Sequence, residues 1–117
     1  MYIFAFVNKK IVSVMKIKNL GELNIEHLER VANMLKAIAH PMRIAILKYL
    51  EENDALTVTE IHIKLGIEQS TTSHHLGILK DKGVLISKRD GKNTYYSVKN
   101  SALCQIVNCV SSCTDKF

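Results

Sequence analysis

Residues 66–98 read GIEQSTTSHHLGILKDKGVLISKRDGKNTYYSV, and the way this stretch changes its period decides the fold. Gly66 closes one helical pattern in the manner of a left-handed C-terminal cap. A second helical pattern runs from about Gln69 to Lys82, with Leu76, Leu79 and Thr72 facing inward, and Gly83 stops it. The spacing then shifts from 3.6 toward 2: Val84, Ile86 and Lys88 alternate with Leu85, Ser87 and Arg89. Asp90-Gly91-Lys92-Asn93 leads into Thr94-Tyr95-Tyr96-Ser97-Val98. Asp-Gly between two β-prone runs is a strong hairpin signal.

Upstream, Thr57-Val58-Thr59-Glu60 predicts a capping box that opens the short helix carrying Ile61 and Leu65. EENDAL before it reads as a polar turn. Earlier still, Leu28, Val31, Ala32, Leu35, Ile38 and Ala39 recur at helical spacing from about Ile25 to Ala39. His40-Pro41 ends that helix, because a residue before proline is pushed out of the α region. Pro41 can open the next helix, where its missing N–H costs nothing. That helix runs to about Glu51 with Ile44, Leu47 and Leu50 inward. Downstream, Asn100-Ser101 can cap a last helix carrying Leu103, Ile106, Val107 and Val110. The order is four helices, a hairpin and a helix. The fold predicted is mainly α with a β-hairpin wing: a winged helix-turn-helix of five helices and a two-stranded wing.

A chain of 117 residues holds one modest core. Hydrophobic residues make up 47% and Trp is absent, so the core must come from Leu, Ile, Val and Ala. No apolar run approaches the ~20 residues that span a bilayer, and residues 1–15 show no cleavage site after a basic leader. Three cysteines fall at 104, 109 and 113. An odd, local cluster argues for a reducing cytoplasm rather than a disulfide framework. The domain lies at 25–113, with an N-terminal extension at 1–24 and a tail at 114–117. Two readings of the first 14 residues stand: an upstream extension before a start at Met15, or an extra strand or helix packing on a dimer.

Helix-turn-helix pairs are common and by themselves a weak signal. The second helix sharpens it. Gln69, Ser70, Thr71, Thr72, Ser73, His74 and His75 form a dense run of short hydrogen-bonding groups and imidazoles, mediocre helix formers all. An ordinary exposed face would carry Glu, Lys and Ala instead. Recognition helices use N-terminal residues of this kind to reach base edges and phosphates of double-stranded DNA. The hairpin agrees. Lys88, Arg89 and Lys92 flank its tip, and Gln69–Lys99 holds six basic residues against two acidic ones, +4 of the chain's formal +5. Such charge beside a recognition helix can neutralise phosphates and release counterions. A solvated charged tip is the plainer reading of the hairpin taken alone.

LKAIAHPMRIAILKYL at 35–50, the stretch at 66–98 and the tail after Tyr96 together resemble the ArsR/SmtB winged-helix repressors. The likeness covers about residues 25–113 in one register. It implies a homodimer joined by the first and last helices, with repression relieved by a metal or a small signal. A symmetric dimer in turn predicts an inverted-repeat operator. Glu68 stands where the family usually has Ser; a carboxylate suits a helix N-terminus but repels phosphate.

The family's metal sites do not carry over. A Cys-x-Cys pair on the helix before recognition falls on Thr57 and Thr59, and hydroxyls are not soft thiolate ligands. A second site on the last helix falls on Asn100, Ala102, Cys113 and Lys116, of which only Cys113 is a good ligand. Cys109 and Cys113 are i, i+4 neighbours on one helix face, with Cys104 less well aligned. They permit a thiolate site for a soft metal, or a redox or persulfide switch. The reading preferred is that these cysteines are small apolar residues packing the dimer interface. His74 and His75 do not share a helix face and are read as DNA-facing or capping groups. His27, His40 and His62 are assigned no chemistry.

No glycine-rich phosphate loop and no coherent Cys-His or Ser-His-Asp grouping is present, so an enzyme is not expected. The rival is a winged helix that binds protein instead of DNA, which predicts an apolar patch across Gln69–His75.

Overall fold

The computed structural model describes residues 23–115. The readings of the N-terminal extension fall almost wholly outside them. Contacts divide the chain within its first helix, into Met1–Asn33 and Met34–Phe117.

Helix α1 spans Ile25–Ile38. Asn24 opens it: its Oδ1 accepts from the backbone N–H of Glu26 at 2.9 Å and of His27 at 3.3 Å, which supplies two of the orphan donors of a helix start. Helix α2 spans Pro41–Glu52 with Pro41 in its first turn. The residue before the proline takes an extended backbone, and its ring caps the new helix: His40 Nδ1 accepts from Met42 N–H at 3.1 Å. Asn53 closes α2 by donating from both its backbone and its side-chain nitrogen to the Tyr49 carbonyl at 3.0 Å.

A two-residue strand β1, Leu56–Thr57, follows. Helix α3 spans Val58–Leu65, and the predicted capping box is formed in both directions: Thr57 Oγ1 accepts from Glu60 N–H, and the Glu60 carboxylate accepts from Thr57 N–H. Gly66 ends α3 at φ 70°, donating to the carbonyls of His62 and Ile63. Helix α4 spans Gln69–Asp81. Strands β2, Leu85–Asp90, and β3, Asn93–Val98, pair antiparallel from Leu85↔Val98 to Asp90↔Asn93. Gly91 has φ 65° while Lys92 has no positive φ, the pattern of a type II′ turn. Helix α5, Ala102–Asp115, is capped by Asn100, whose Oδ1 accepts from Ala102 N–H at 2.9 Å.

The fold is the expected winged helix-turn-helix, and the β2–β3 hairpin forms the wing as read. The addition is a third strand: β1 pairs with β3 through Leu56↔Tyr96 and Thr57↔Tyr95, giving a sheet of order β1-β3-β2. The stretch read as a turn therefore ends in a strand that ties the start of α3 to the wing.

The core of Met34–Phe117 gathers Ile46, Leu47 and Leu50 from α2, Ile61 from α3, Leu76 and Leu79 from α4, Val84 and Leu85 at the wing's root, and Leu103 and Val107 from α5. Ile44, expected inside, is partly buried, and Ile46 takes the deeper place. Losing one such Leu typically costs about 2–5 kcal/mol, so α4 is held by its own inner face.

Candidate nucleic-acid interface

Helix α4 begins at Glu68, whose side chain makes no capping hydrogen bond. Its outer face follows from the phase of Leu76 and Leu79. Gln69, Ser70, Thr71, Ser73 and His74 are exposed, and so is Gly77. Ser70, Ser73, His74 and Gly77 sit at i, i+3, i+4, i+7 and so share one stripe. A Cβ built on Gly77 meets nothing within 4 Å. Nothing in the chain itself therefore requires a glycine at this interior helix position.

Two residues of the run read as DNA-contacting lie inward: Thr72, which the helical spacing also placed on the inner side, and His75, which was read as facing DNA. Thr72 is wholly buried and its hydroxyl donates to the Glu68 carbonyl at 3.1 Å. His75 is 7% exposed. The reason is helical geometry: Thr72 precedes Leu76 by four residues and His75 precedes Leu79 by four, so both continue the apolar stripe. That relation was available in the sequence and placed Thr72 inward; for His75 the unbroken polar run concealed it.

His75 is held by Arg43, whose Nε donates to its Nδ1 at 3.2 Å. The same guanidinium donates through Nη1 to the Ala37 carbonyl at 3.0 Å. The His40 ring lies 4.7 Å from that of His75, centroid to centroid. Burial lowers the pKa of His75, with His40, Arg43 and His74 lowering it further. Arg43 was not singled out from the sequence, and His40 was read only as the end of the first helix. Their role at α4 has no local signal, because their partner there, His75, is 32 or more residues away.

On the wing, Lys88, Arg89 and Lys92 are exposed. Arg89 Nε donates to the Gly91 carbonyl at 3.4 Å, which braces it against the turn. Strand β2 packs on α4, so the basic strand is rooted on the helix that carries the polar stripe.

The cysteines separate. Cys104 is buried, its Sγ 4.0 Å from the Leu47 carbonyl, and burial followed by the Glu51 carboxylate raises its pKa. A raised thiol pKa disfavours the thiolate that metals and oxidants need. Cys109 and Cys113 are exposed on α5. Among the described residues no three His, Cys, Asp or Glu side chains converge as a metal site. The residues at the family's metal positions do not fit a metal either: Thr57 is spent in the capping box and Asn100 in the α5 cap. No helix among the described residues is long and apolar enough to cross a membrane.

A helix-turn-helix with a polar outer face on its second helix, continued into a basic wing, defines the winged-helix class of DNA-binding transcriptional regulators. The comparisons agree. Residues 40–87 match the family described as bacterial regulatory protein, arsR family. The chain is 37% identical over 79 residues to the HTH-type transcriptional regulator YgaV of Escherichia coli (strain K12), covering 68% of this chain and 80% of that protein. Its fold superposes on the crystal structure of the transcriptional repressor PagR of Bacillus anthracis with a TM-score of 0.68 at 39% identity, covering 74% of this chain and 99% of that one. It also superposes on the solution structure of a homodimeric winged helix-turn-helix DNA-binding domain from Mycobacterium bovis, a possible ArsR-family regulator. There the TM-score is 0.69 at 27% identity, over 78% of this chain and 83% of that one. The chain belongs to the ArsR family and is a transcriptional regulator. The relatives it matches are regulators rather than enzymes.

Proposed function

We propose that this regulator is a homodimeric, sequence-specific repressor that reads an inverted-repeat operator in double-stranded DNA. The observation that carries the reading is the exposed polar stripe of α4 set beside an exposed basic β2. Ser70, Ser73 and His74 face base edges in the major groove, Gln69 and Thr71 flank them, and Lys88, Arg89 and Lys92 meet phosphates. The exposed apolar residues Leu35, Ile106 and Val110 support a partner subunit over α1 and α5, in keeping with the homodimeric relative. Two-fold symmetry then places recognition helices roughly 34 Å apart, one turn of duplex. The exposed face of α4 carries no apolar side chain, which disfavours the protein-binding alternative.

The inducing signal in this reading is a metal, a small molecule or a thiol-directed signal. Any response of the thiols runs through exposed Cys109 and Cys113, with Cys104 a core residue. The test is selection of duplexes from a random pool, followed by binding at several salt concentrations. Binding should weaken steeply with salt, and each of Lys88→Ala, Arg89→Ala and Lys92→Ala should flatten the slope by about one unit. A monomeric mass at micromolar concentration with DNA binding intact would sink the dimer. Release of bound operator by cadmium, arsenite or a persulfide donor should vanish in Cys109→Ser/Cys113→Ser. Release that persists in that variant refutes the thiol route.

A further inference from the structure

The recognition helix is fastened to the rest of the fold by a polar tie as well as by its leucines. Arg43, in the first turn of α2, bridges the carbonyl of Ala37 near the C-terminus of α1 and the buried Nδ1 of His75 in the middle of α4. One rigid guanidinium thus joins three elements. Its fork geometry matters, because an ammonium group on a flexible stem presents no two donors in fixed relation. His40 packs its ring on His75 while its own Nδ1 caps α2.

The tie has a protonation requirement. Nδ1 of His75 accepts from Arg43, so in the bound arrangement that nitrogen is unprotonated and the ring is neutral. A proton there turns an acceptor into a donor facing a donor and sets a second positive charge against Arg43. The titratable and charged groups acting on the ring are His40 from the α1–α2 corner, Arg43 from α2 and His74 from its own helix. All three oppose its protonation.

We propose that Arg43 is a positioning residue for DNA binding: acting through neutral His75, it sets α4 against the α1–α2 corner, and protonation of His75 releases the helix. The inference rests on the proposed reading of α4 as the DNA-contacting helix. It differs from a direct phosphate contact by Arg43, because here the guanidinium is occupied inside the protein. The sign of the pH effect follows from the lowered pKa. Above about 6.5, the ordinary histidine value, His75 is neutral whether folded or unfolded, and stability is full. Below it the unfolded chain takes up the proton first, so stability falls with pH, and the folded tie breaks lower still.

The experiment uses a duplex selected by the wild type from a random pool, with binding followed by anisotropy between about pH 7.5 and about pH 5. Three proteins are compared: wild type, Arg43→Lys and His75→Asn. The Asn side chain offers Oδ1 where His offers Nδ1 and does not titrate. At pH 7.5 Arg43→Lys should bind roughly tenfold more weakly, the scale of a lost charged hydrogen bond, with an unchanged salt slope. His75→Asn keeps an acceptor for Arg43 at every pH, and its own affinity at pH 7.5 is the reference for its pH profile. On acidification the wild type should lose roughly tenfold more affinity than His75→Asn; His74 is common to both and cancels. Circular dichroism at each pH confirms that each protein compared is folded, and if Arg43→Lys is not, the wild type and His75→Asn decide the matter. Parallel pH profiles for these two overturn the proposal. A salt slope reduced by about one in Arg43→Lys also overturns it, since that marks a phosphate contact. Failure of the wild type to select or bind any duplex at pH 7.5 overturns the DNA reading itself, and this inference with it.

Discussion

Two adjacent pairs on α4 have nearly the same chemistry and opposite fates. Thr72 is buried and Ser73 exposed; His75 is buried and His74 exposed. Hydroxyl against hydroxyl and imidazole against imidazole, the side chain does not decide the matter. The 100° step between neighbours on a helix does, once Leu76 and Leu79 have fixed which side faces the core. The inward member of each pair finds an internal acceptor or donor, the Glu68 carbonyl for Thr72 and the Arg43 guanidinium for His75. The outward members, with Ser70 and Gly77, are left for a partner. One helix thus carries a face that maintains the fold and a face that is open for reading.

The difference between the two faces can be broken or sharpened by substitution. The largest effect should come from the inner face: Leu76→Ala should lower unfolding free energy by about 2–5 kcal/mol in chemical denaturation, taking DNA binding down only as the folded fraction falls. On the outer face, Ser73→Ala and His74→Ala should leave stability within about 0.5 kcal/mol yet cost about 1–3 kcal/mol of discrimination against a mismatched duplex. If His74→Ala melted the protein while His75→Ala left its stability untouched, the assignment of faces would be reversed. At the neighbouring helix, Thr57→Ala removes one half of the capping box and should cost about 1 kcal/mol, read as a shift in denaturation midpoint without a change of base preference. The smallest effect has the opposite sign. Gly77→Ala should stabilise the free protein by about 0.8–1.0 kcal/mol, because its Cβ meets nothing. The same variant should bind its selected duplex more weakly if DNA approaches the helix there. Unchanged affinity would mean that Gly77 leaves the outer face of α4 without a close contact.

The ends of elements were legible because their interactions are local. The Thr57–Glu60 box, the Gly66 stop, the Pro41 start and the Asn100 cap each link residues two to four positions apart, and the Asp90–Asn93 hairpin closes over two residues. Strand β1 was not legible. Its two residues gain strand character only by pairing with Tyr95 and Tyr96, some forty positions on, and two residues carry no periodicity of their own. The candidate site divides in the same manner. The polar run at 69–75 and the basic wing were visible as composition, and that same run masked the burial of His75, although it lies four residues before the inward Leu79.

By itself, then, the sequence determined the order of helices and hairpin, where each begins and stops, and which segments hold the chemistry suited to DNA. Those depend on short-range capping, on backbone restriction at proline and glycine, and on hydrophobic period. Only the tertiary structure decided that β1 joins the wing, that Cys104 is core while Cys109 and Cys113 are surface, and that Arg43, His40 and His75 meet. Such contacts form where packing brings distant helices together. A guanidinium finds its acceptor 32 residues away because the core places it there, and no local pattern in the chain encodes that distance.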